Sequence, residues 1–188
     1  MDPEPLSITD AVAALGRGGI IACPTESVWG LSCDPFAEAS VSRLLQLKQR
    51  ALEKGLILVA AALAQFDGLA DWGALPEHRV DAVQASWPGP NTWIVPATTA
   101  VPAWITGAHP SVALRVSAHP VVVALCRAFG GPLVSTSANR AGVPAARTFA
   151  ALDPDLLGDL DGYLAGETGQ RDRPSDIRDA RSDAILRG

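Results

Sequence analysis

Short apolar runs that end abruptly in small polar or charged residues recur along this chain, and helical patterns separate them. Gly19-Ile20-Ile21-Ala22-Cys23 runs into Pro24-Thr25-Glu26-Ser27, and Pro132-Leu133-Val134 runs into Ser135-Thr136-Ser137-Ala138-Asn139. Leu56–Val59, Thr92–Val95, Ser111–Val116 and the terminal Ala184–Arg187 are further runs of strand length. Between them, apolar residues return at helical spacing: Ile8, Val12 and Leu15 behind the cap residue Ser7; Val41, Leu44 and Leu45 after Asp34-Pro35; Val80 and Val83 within Glu77–Ser86; Val122, Leu125, Cys126 and Phe129 after Pro120. Helices alternating with buried strands predict an α/β fold with a mixed, twisted sheet. At 188 residues the expectation is one domain spanning 1–188, with its core over about residues 7–187.

Several classes are set aside at once. No stretch approaches the roughly 18 apolar residues of a membrane span. Met1-Asp2-Pro3-Glu4-Pro5 has neither a basic n-region nor an apolar h-region, and three cysteines without Cys-x-x-Cys spacing fit a reducing compartment, so a cytoplasmic location is expected. Gly16-Arg17-Gly18-Gly19 follows a helix and precedes a strand, the reverse of a dinucleotide fingerprint, and neither a P-loop nor a Gly-x-Ser-x-Gly elbow occurs. His78, His109 and His119 read as surface residues, the tryptophans and Cys126 as packing. A net charge of -5 offers no general attraction to nucleic acid, though it leaves room for a local basic pocket.

What chemistry there is lies at strand and helix ends. A buried strand has no use for Ser135, Thr136, Ser137 and Asn139, whose hydroxyls and amide donate and accept in several directions, so the stretch reads as a loop of binding groups after a strand. Lys48, Arg50 and Lys54 end a helix and precede a strand. A helix C-terminus favours cations by about 0.3–1 kcal/mol, which accounts for one or two of them; three in seven residues also fit a phosphate site. Arg115 sits between Leu114 and Val116 in an apolar run. It either pairs with an internal carboxylate or faces a cavity to hold an anionic ligand, and the second is favoured. No nucleophile–base pair is evident. The set suits a site that orients charged ligands, as nucleotidyl and phosphoryl transfer require.

These residues resemble a known family. Lys48-Gln49-Arg50 with Ser137-Ala138-Asn139 far downstream is similar to the binding signature of TsaC/YrdC-type threonylcarbamoyl-AMP synthases. Pro24-Thr25-Glu26, Trp87-Pro88-Gly89-Pro90, Leu114-Arg115-Val116, Ser135–Asn139 and Pro174–Asp179 extend the likeness in order over about Ser7 to Arg187, matching the short bacterial form. The resemblance implies a YrdC-like twisted mixed sheet flanked by helices around a basic concave cavity. It implies condensation of ATP, L-threonine and bicarbonate or CO2 to threonylcarbamoyl-AMP and diphosphate. That is the first step toward N6-threonylcarbamoyladenosine at position 37 of tRNAs reading ANN codons. Carried over by position, Lys48, Arg50 and Lys54 would hold ATP phosphates, with Lys48 and Arg50 assisting catalysis. Ser137 and Asn139 would contact the nucleotide, with Ser111 and Arg187 as further contacts. Thr25, Arg115, Ser135 and Ser175 would hold threonine, its carboxylate on Arg115. Mg2+ would arrive on the ATP, with no protein metal ligand. A downstream threonylcarbamoyl-transfer complex is implied as partner, and tRNA as a further one. Ala51, Ala145, Val59 and Cys23 depart from the family pattern. The alternative is a non-catalytic RNA-binding domain using the same basic cavity.

Overall fold

The computed structural model describes residues 4–169, 171–172 and 175–187, with the side chain of Arg187 outside that description. The chain runs α1 (Ile8–Gly16), β1 (Ile21–Pro24), β2 (Trp29–Ser32), α2 (Glu38–Lys48), β3 (Ile57–Ala60), α3 (Glu77–Ala85), β4 (Asn91–Pro96), α4 (Ala103–Thr106), β5 (Ser111–Val116), α5 (Pro120–Phe129), β6 (Leu133–Ser137), α6 (Pro154–Gly158), β7 (Gly162–Tyr163), β8 (Asp176–Asp179) and β9 (Ile185–Arg187). Among the described residues the strands form one sheet in the order β7-β1-β2-β6-β3-β5-β4-β8-β9. β1–β7, β3–β5 and β4–β8 pair in parallel and the other neighbours antiparallel, giving the expected mixed α/β sheet.

Local chemistry sets the boundaries. Ser7 caps α1 by accepting from the Asp10 N–H at 3.1 Å. α5 opens with Pro120 in its first turn and stops at Gly130, which adopts φ 84°. α2 begins at Glu38 rather than at Asp34-Pro35, because Asp34 Oδ1 accepts from Phe36 N–H at 2.8 Å and holds a turn there. The region 60–69 contains only a 3-10 turn, Leu63–Phe66. Thr148 precedes the 3-10 turn Phe149–Ala151 but makes no side-chain cap bond.

The two faces of the sheet are covered differently. Ala11, Ala14 and Leu15 of α1 and Val122, Leu125 and Cys126 of α5 pack on Ile21, Cys23, Val59 and Leu133. On the opposite face Ala22, Leu31, Leu58, Ala60, Trp93, Val95, Leu114 and Val134 belong to the larger core, which also holds Val41 and Leu44 of α2. Side chains alternate between faces along a strand. Val59 and Leu133 therefore point the same way as Ile57, Ser135 and Ser137, but they lie under α5 and the others lie beyond it. β6 thus continues as a strand through Ser137, where a loop was expected after Val134. Its polar residues mark the point where the helix stops covering the sheet.

The turn before β3 is locked to the chain before β5. Leu56 N–H donates to Ile105 O at 2.9 Å and Ala108 N–H to Glu53 O at 3.2 Å. Gly107 adopts φ 63°, and a Cβ there would lie 2.6 Å from both Glu53 O and Leu52 O. Gly130 also has positive φ, but nothing lies within 4 Å of a Cβ built on it. Gly107→Ala is expected to lose about 3 kcal/mol or more, through strain plus collision with backbone. Gly130→Ala should lose about 1–2 kcal/mol, the left-handed penalty alone. Urea denaturation of the two variants measures the difference, and equal losses would refute the lock.

Candidate active site

The exposed part of that sheet face forms the floor of a cavity of about 460 Å³. One transverse row crosses five strands: Ser135 opposite Ile57, Ile57 opposite Ala113, Ala113 opposite Ile94, Ile94 opposite Asp179. All five line the cavity. Along β5, Ser111 and Arg115 flank Ala113 on the same face. Four residues of extended chain set them about 13 Å apart. This gives the cavity two ends.

At one end stand Ser111, Arg50, Lys54 and His109. Arg50 Nη2 donates to Gly55 O at 2.9 Å, which holds it on the locked turn. Ser137, two residues beyond Ser135 on antiparallel β6, extends toward this end, and Gly30 of β2 lies opposite it. At the other end stand Arg115, Thr25, Glu26 and Ser175. Thr92, fully buried, donates its hydroxyl to Ser175 Oγ at 2.9 Å. The Thr25 hydroxyl donates to Val28 O at 2.7 Å, so it meets a ligand as an acceptor.

Arg115 is 6% exposed. Its Nη1 donates to Glu26 Oε2 at 2.5 Å and its Nη2 lies 3.4 Å from Ser135 Oγ, while Nε has no partner among the described residues. The internal carboxylate is therefore present, and the favoured alternative of an arginine reserved for a ligand gives way to one that is paired and also lines the cavity. A buried cation needs this compensation. Glu26 Oε1 accepts from Ser117 Oγ at 2.6 Å and Ala118 N–H at 3.2 Å. Burial works against the charged form of Glu26, but the Arg115 guanidinium and the Ser117 hydroxyl prevail and hold its carboxyl below the usual range. Gly169 N–H donates to Thr25 O at 2.9 Å and bounds the same loop.

Lys48 is placed apart from Arg50 and Lys54. It is 5% exposed and does not line the cavity. Its ammonium donates to Ser137 O, to Asn139 O at 2.7 Å and to Asn139 Oδ1 at 3.4 Å, and its carbonyl accepts from Ala141 N–H at 3.0 Å. Lys48 thus clamps the segment that follows β6. Burial, and then the charge of Arg50, draw its pKa down to about 8. Asn139 is half-buried and also does not line the cavity, its amide donating to Arg140 O at 3.2 Å and to Val143 O. Arg187 ends β9 opposite Ile177; its side chain, and Pro174 of the motif before Ser175, lie outside the described residues.

Glu26, Ser117, His109 and Asp179 were missed as site residues. The need of Arg115 for a carboxylate was the available signal for Glu26. His119, expected on the surface, is 7% exposed, with Nε2 3.0 Å from Glu167 O. Three cations and two carboxylates line the cavity, so the expected basic character is modest. Both carboxylates are engaged, Asp179 Oδ1 accepting from Arg181 N–H at 2.8 Å and Ser182 N–H at 2.9 Å. Among the described residues no group of three or more His, Cys, Asp or Glu is arranged to hold a metal, and no helix is long and apolar enough to cross a membrane. The thiols of Cys23, Cys33 and Cys126 are buried, which pushes them up to about 11, 12 and 12.

Among the described residues, a mixed α/β sheet thus carries a cavity whose two cationic ends, Arg115 and Arg50 with Lys54, are joined by serines. The family model for Sua5, YciO and YrdC proteins, described as "Telomere recombination", matches residues 13–188, and the chain belongs to that family. Threonylcarbamoyl-AMP synthase of Stenotrophomonas maltophilia K279a is 59% identical over 182 residues, 97% of this chain and 98% of that protein. The Xanthomonas euvesicatoria pv. vesicatoria 85-10 protein of the same name is 57% identical over 187 residues, 98% of each. P. abyssi Sua5 complexed with L-threonine aligns with a TM-score of 0.84 and 30% identity over 92% of this chain and 50% of that one. E. coli YciO, at 23% identity, shares the fold with a TM-score of 0.79 over 98% and 91%.

Because the folded pKa of Glu26 lies below the unfolded value of about 4.3, its stabilisation is complete above that value. It is lost as pH falls through the lowered one. Between about pH 5 and 3 the unfolding free energy of the wild type should fall more steeply than that of Glu26→Gln. Denaturant titrations across that range check this, and parallel slopes would contradict it.

Proposed function

We infer that this chain is an L-threonylcarbamoyladenylate synthase, joining ATP, L-threonine and bicarbonate or CO2 into threonylcarbamoyl-AMP and diphosphate. The observation that carries the reading is the two-ended cavity, with Arg115 about 13 Å along β5 from Ser111 and the Arg50–Lys54 turn beside Ser111. One end suits an amino-acid carboxylate, the other a triphosphate, and the serines of β6 lie between them.

In this reading the threonine carboxylate docks on Arg115, since a guanidinium offers parallel N–H groups to two oxygens. Ser135, Ser175 and Thr25 hold the remaining polar atoms of the amino acid. Arg50 and Lys54 hold the phosphates, with Ser111 and Ser137 on the nucleotide. Lys48 and Asn139 act one layer back, by fixing the segment after Ser137. The neutral amine adds to CO2 and loses a proton, giving a carbamate. A carbamate oxygen then attacks the α-phosphorus, and the bond to the β-phosphate oxygen breaks as diphosphate leaves. Cations fixed beforehand around the developing charge lower this barrier. Both Glu26 oxygens are engaged and its carboxyl is held acidic, which makes it a poor proton acceptor. The donor set around the cavity suits Mg2+ only as an ion that keeps phosphate and water oxygens, and when bound it screens the phosphate charge. The product is a reactive mixed anhydride, so a threonylcarbamoyl-transfer complex acting on tRNA is its natural consumer, in the cytoplasm where tRNA and ATP meet. A net charge of -5, with only three cations lining the cavity, does not favour the RNA-binding alternative.

Pyrophosphate release from ATP with L-threonine, bicarbonate and Mg2+ tests the reading. Arg115→Ala should lower kcat/KM for threonine by about 100-fold, with the KM for ATP little changed. Arg50→Ala should do the reverse. Release that is independent of threonine would overturn the assignment.

A further inference from the structure

We propose that Glu26 sorts the two substrates: by compensating and orienting Arg115, it makes that end accept the carboxylate of an amino acid and reject a polyphosphate. The inference rests on the two-substrate reading above and adds to it the question of how each anion finds its own end.

Two cationic ends on one open floor pose a selectivity problem. A triphosphate carries more charge than a carboxylate, and bare Coulomb attraction would draw it to either end. The two ends are built differently. Lys54 sits exposed on a turn lining the cavity, and among the described residues no carboxylate pairs with it. The guanidinium of Arg115 has a carboxylate oxygen 2.5 Å from Nη1, and both members of the pair are largely buried, with side chains 7% and 14% exposed. Beyond the pair's own dimensions the two charges nearly cancel. What remains is a directional set of N–H donors without a strong field. Such a group serves a ligand of the right shape and low charge, and specificity follows from the difference between the two ends.

Orientation depends on the same residue. The Nη2 contact to Ser135 is long, at 3.4 Å, and among the described residues Nε makes no bond, so there Glu26 supplies the one short bond that fixes the guanidinium. Glu26 is fixed in turn from behind. Ser117 Oγ donates to its Oε1 while accepting from His119 N–H at 3.1 Å, and Ser117 N–H donates to Ala60 O at 3.0 Å. Ser117 is 1% exposed and does not line the cavity. It reaches a ligand only through Glu26 and Arg115.

The test is displacement of L-threonine by inorganic pyrophosphate, followed by isothermal titration on the whole protein. In the wild type, pyrophosphate should leave threonine in place. In Glu26→Gln it should compete, so that the ratio of threonine to pyrophosphate affinity at this end falls about tenfold or more, equivalent to about 1.4 kcal/mol. In Ser117→Ala the same ratio should fall about 2- to 10-fold, the effect of one hydrogen bond. A purely structural role for Glu26 would weaken threonine without making pyrophosphate a competitor. The proposal is overturned if pyrophosphate fails to displace threonine from Glu26→Gln, or displaces it equally from the wild type. Should Glu26→Gln not fold, an unchanged ratio in Ser117→Ala overturns it alone. Wild-type turnover, measured separately, keeps the two readings apart. Threonine binding without pyrophosphate release counts against the synthase alone, and absence of threonine binding counts against both.

Discussion

A guanidinium in the middle of a strand has to be met by a carboxylate, and much of this molecule is arranged around that demand. Glu26 comes from 89 residues away in sequence, on the loop between β1 and β2. To place it, the β1–β2 hairpin and the β5–α5 turn must lie side by side, although three strands separate β1 from β5 in the sheet order. The ion pair therefore joins the two halves of the sheet on the face that α1 and α5 cover in part. Buried pairs add little net stability, because desolvation offsets attraction, but removing one partner leaves an uncompensated charge at a large penalty. The pair is better understood as fixing geometry than as holding the fold together. The fold is held by the two apolar layers, whose strand residues are almost completely buried.

The cavity is a by-product of coverage. α5 spans ten residues and lies over Val59 and Leu133; the sheet runs on past its reach. Beyond that point the same strand positions carry Ile57, Ser135 and Ser137. Because the floor is hydrogen-bonded strand rather than loop, its side chains are spaced by the sheet and not by their own flexibility, which is what an orienting site needs. Lys48 serves the same end from outside. An amine held by three oxygens of the segment it faces fixes the exit of β6 without touching the cavity.

Periodicity made most of the elements legible. α5 begins and ends where Pro120 and Phe129 indicate, and β4, β5 and the cap at Ser7 follow their patterns closely. Residues that act locally, through caps, turns and alternating burial, were readable because their causes lie within a few positions. The strand continuation through Ser137 was not, since a serine in a strand differs from a serine in a loop only by what covers it, and α5 precedes it in the chain. Glu26 was invisible for a similar reason: one acid among many until Arg115 stands beside it. Lys48 shows the limit of charge counting. Three cations in seven residues marked the region, but the turn at Gln49, with φ 51°, sends Lys48 inward and Arg50 to the cavity. The resemblance identified the family; the division of labour among its residues needed coordinates.

The cysteines carry a practical consequence. All three thiols are buried, and their raised pKa values leave almost no thiolate at neutral pH, the form that reacts with maleimides and iodoacetamides. The native chain is therefore close to silent toward thiol-directed dyes and spin labels. A single cysteine introduced at an exposed position, such as Leu52 or Val143, would carry a reporter without first stripping the background. Ligand entry could then be followed by fluorescence or electron paramagnetic resonance in the otherwise unaltered protein.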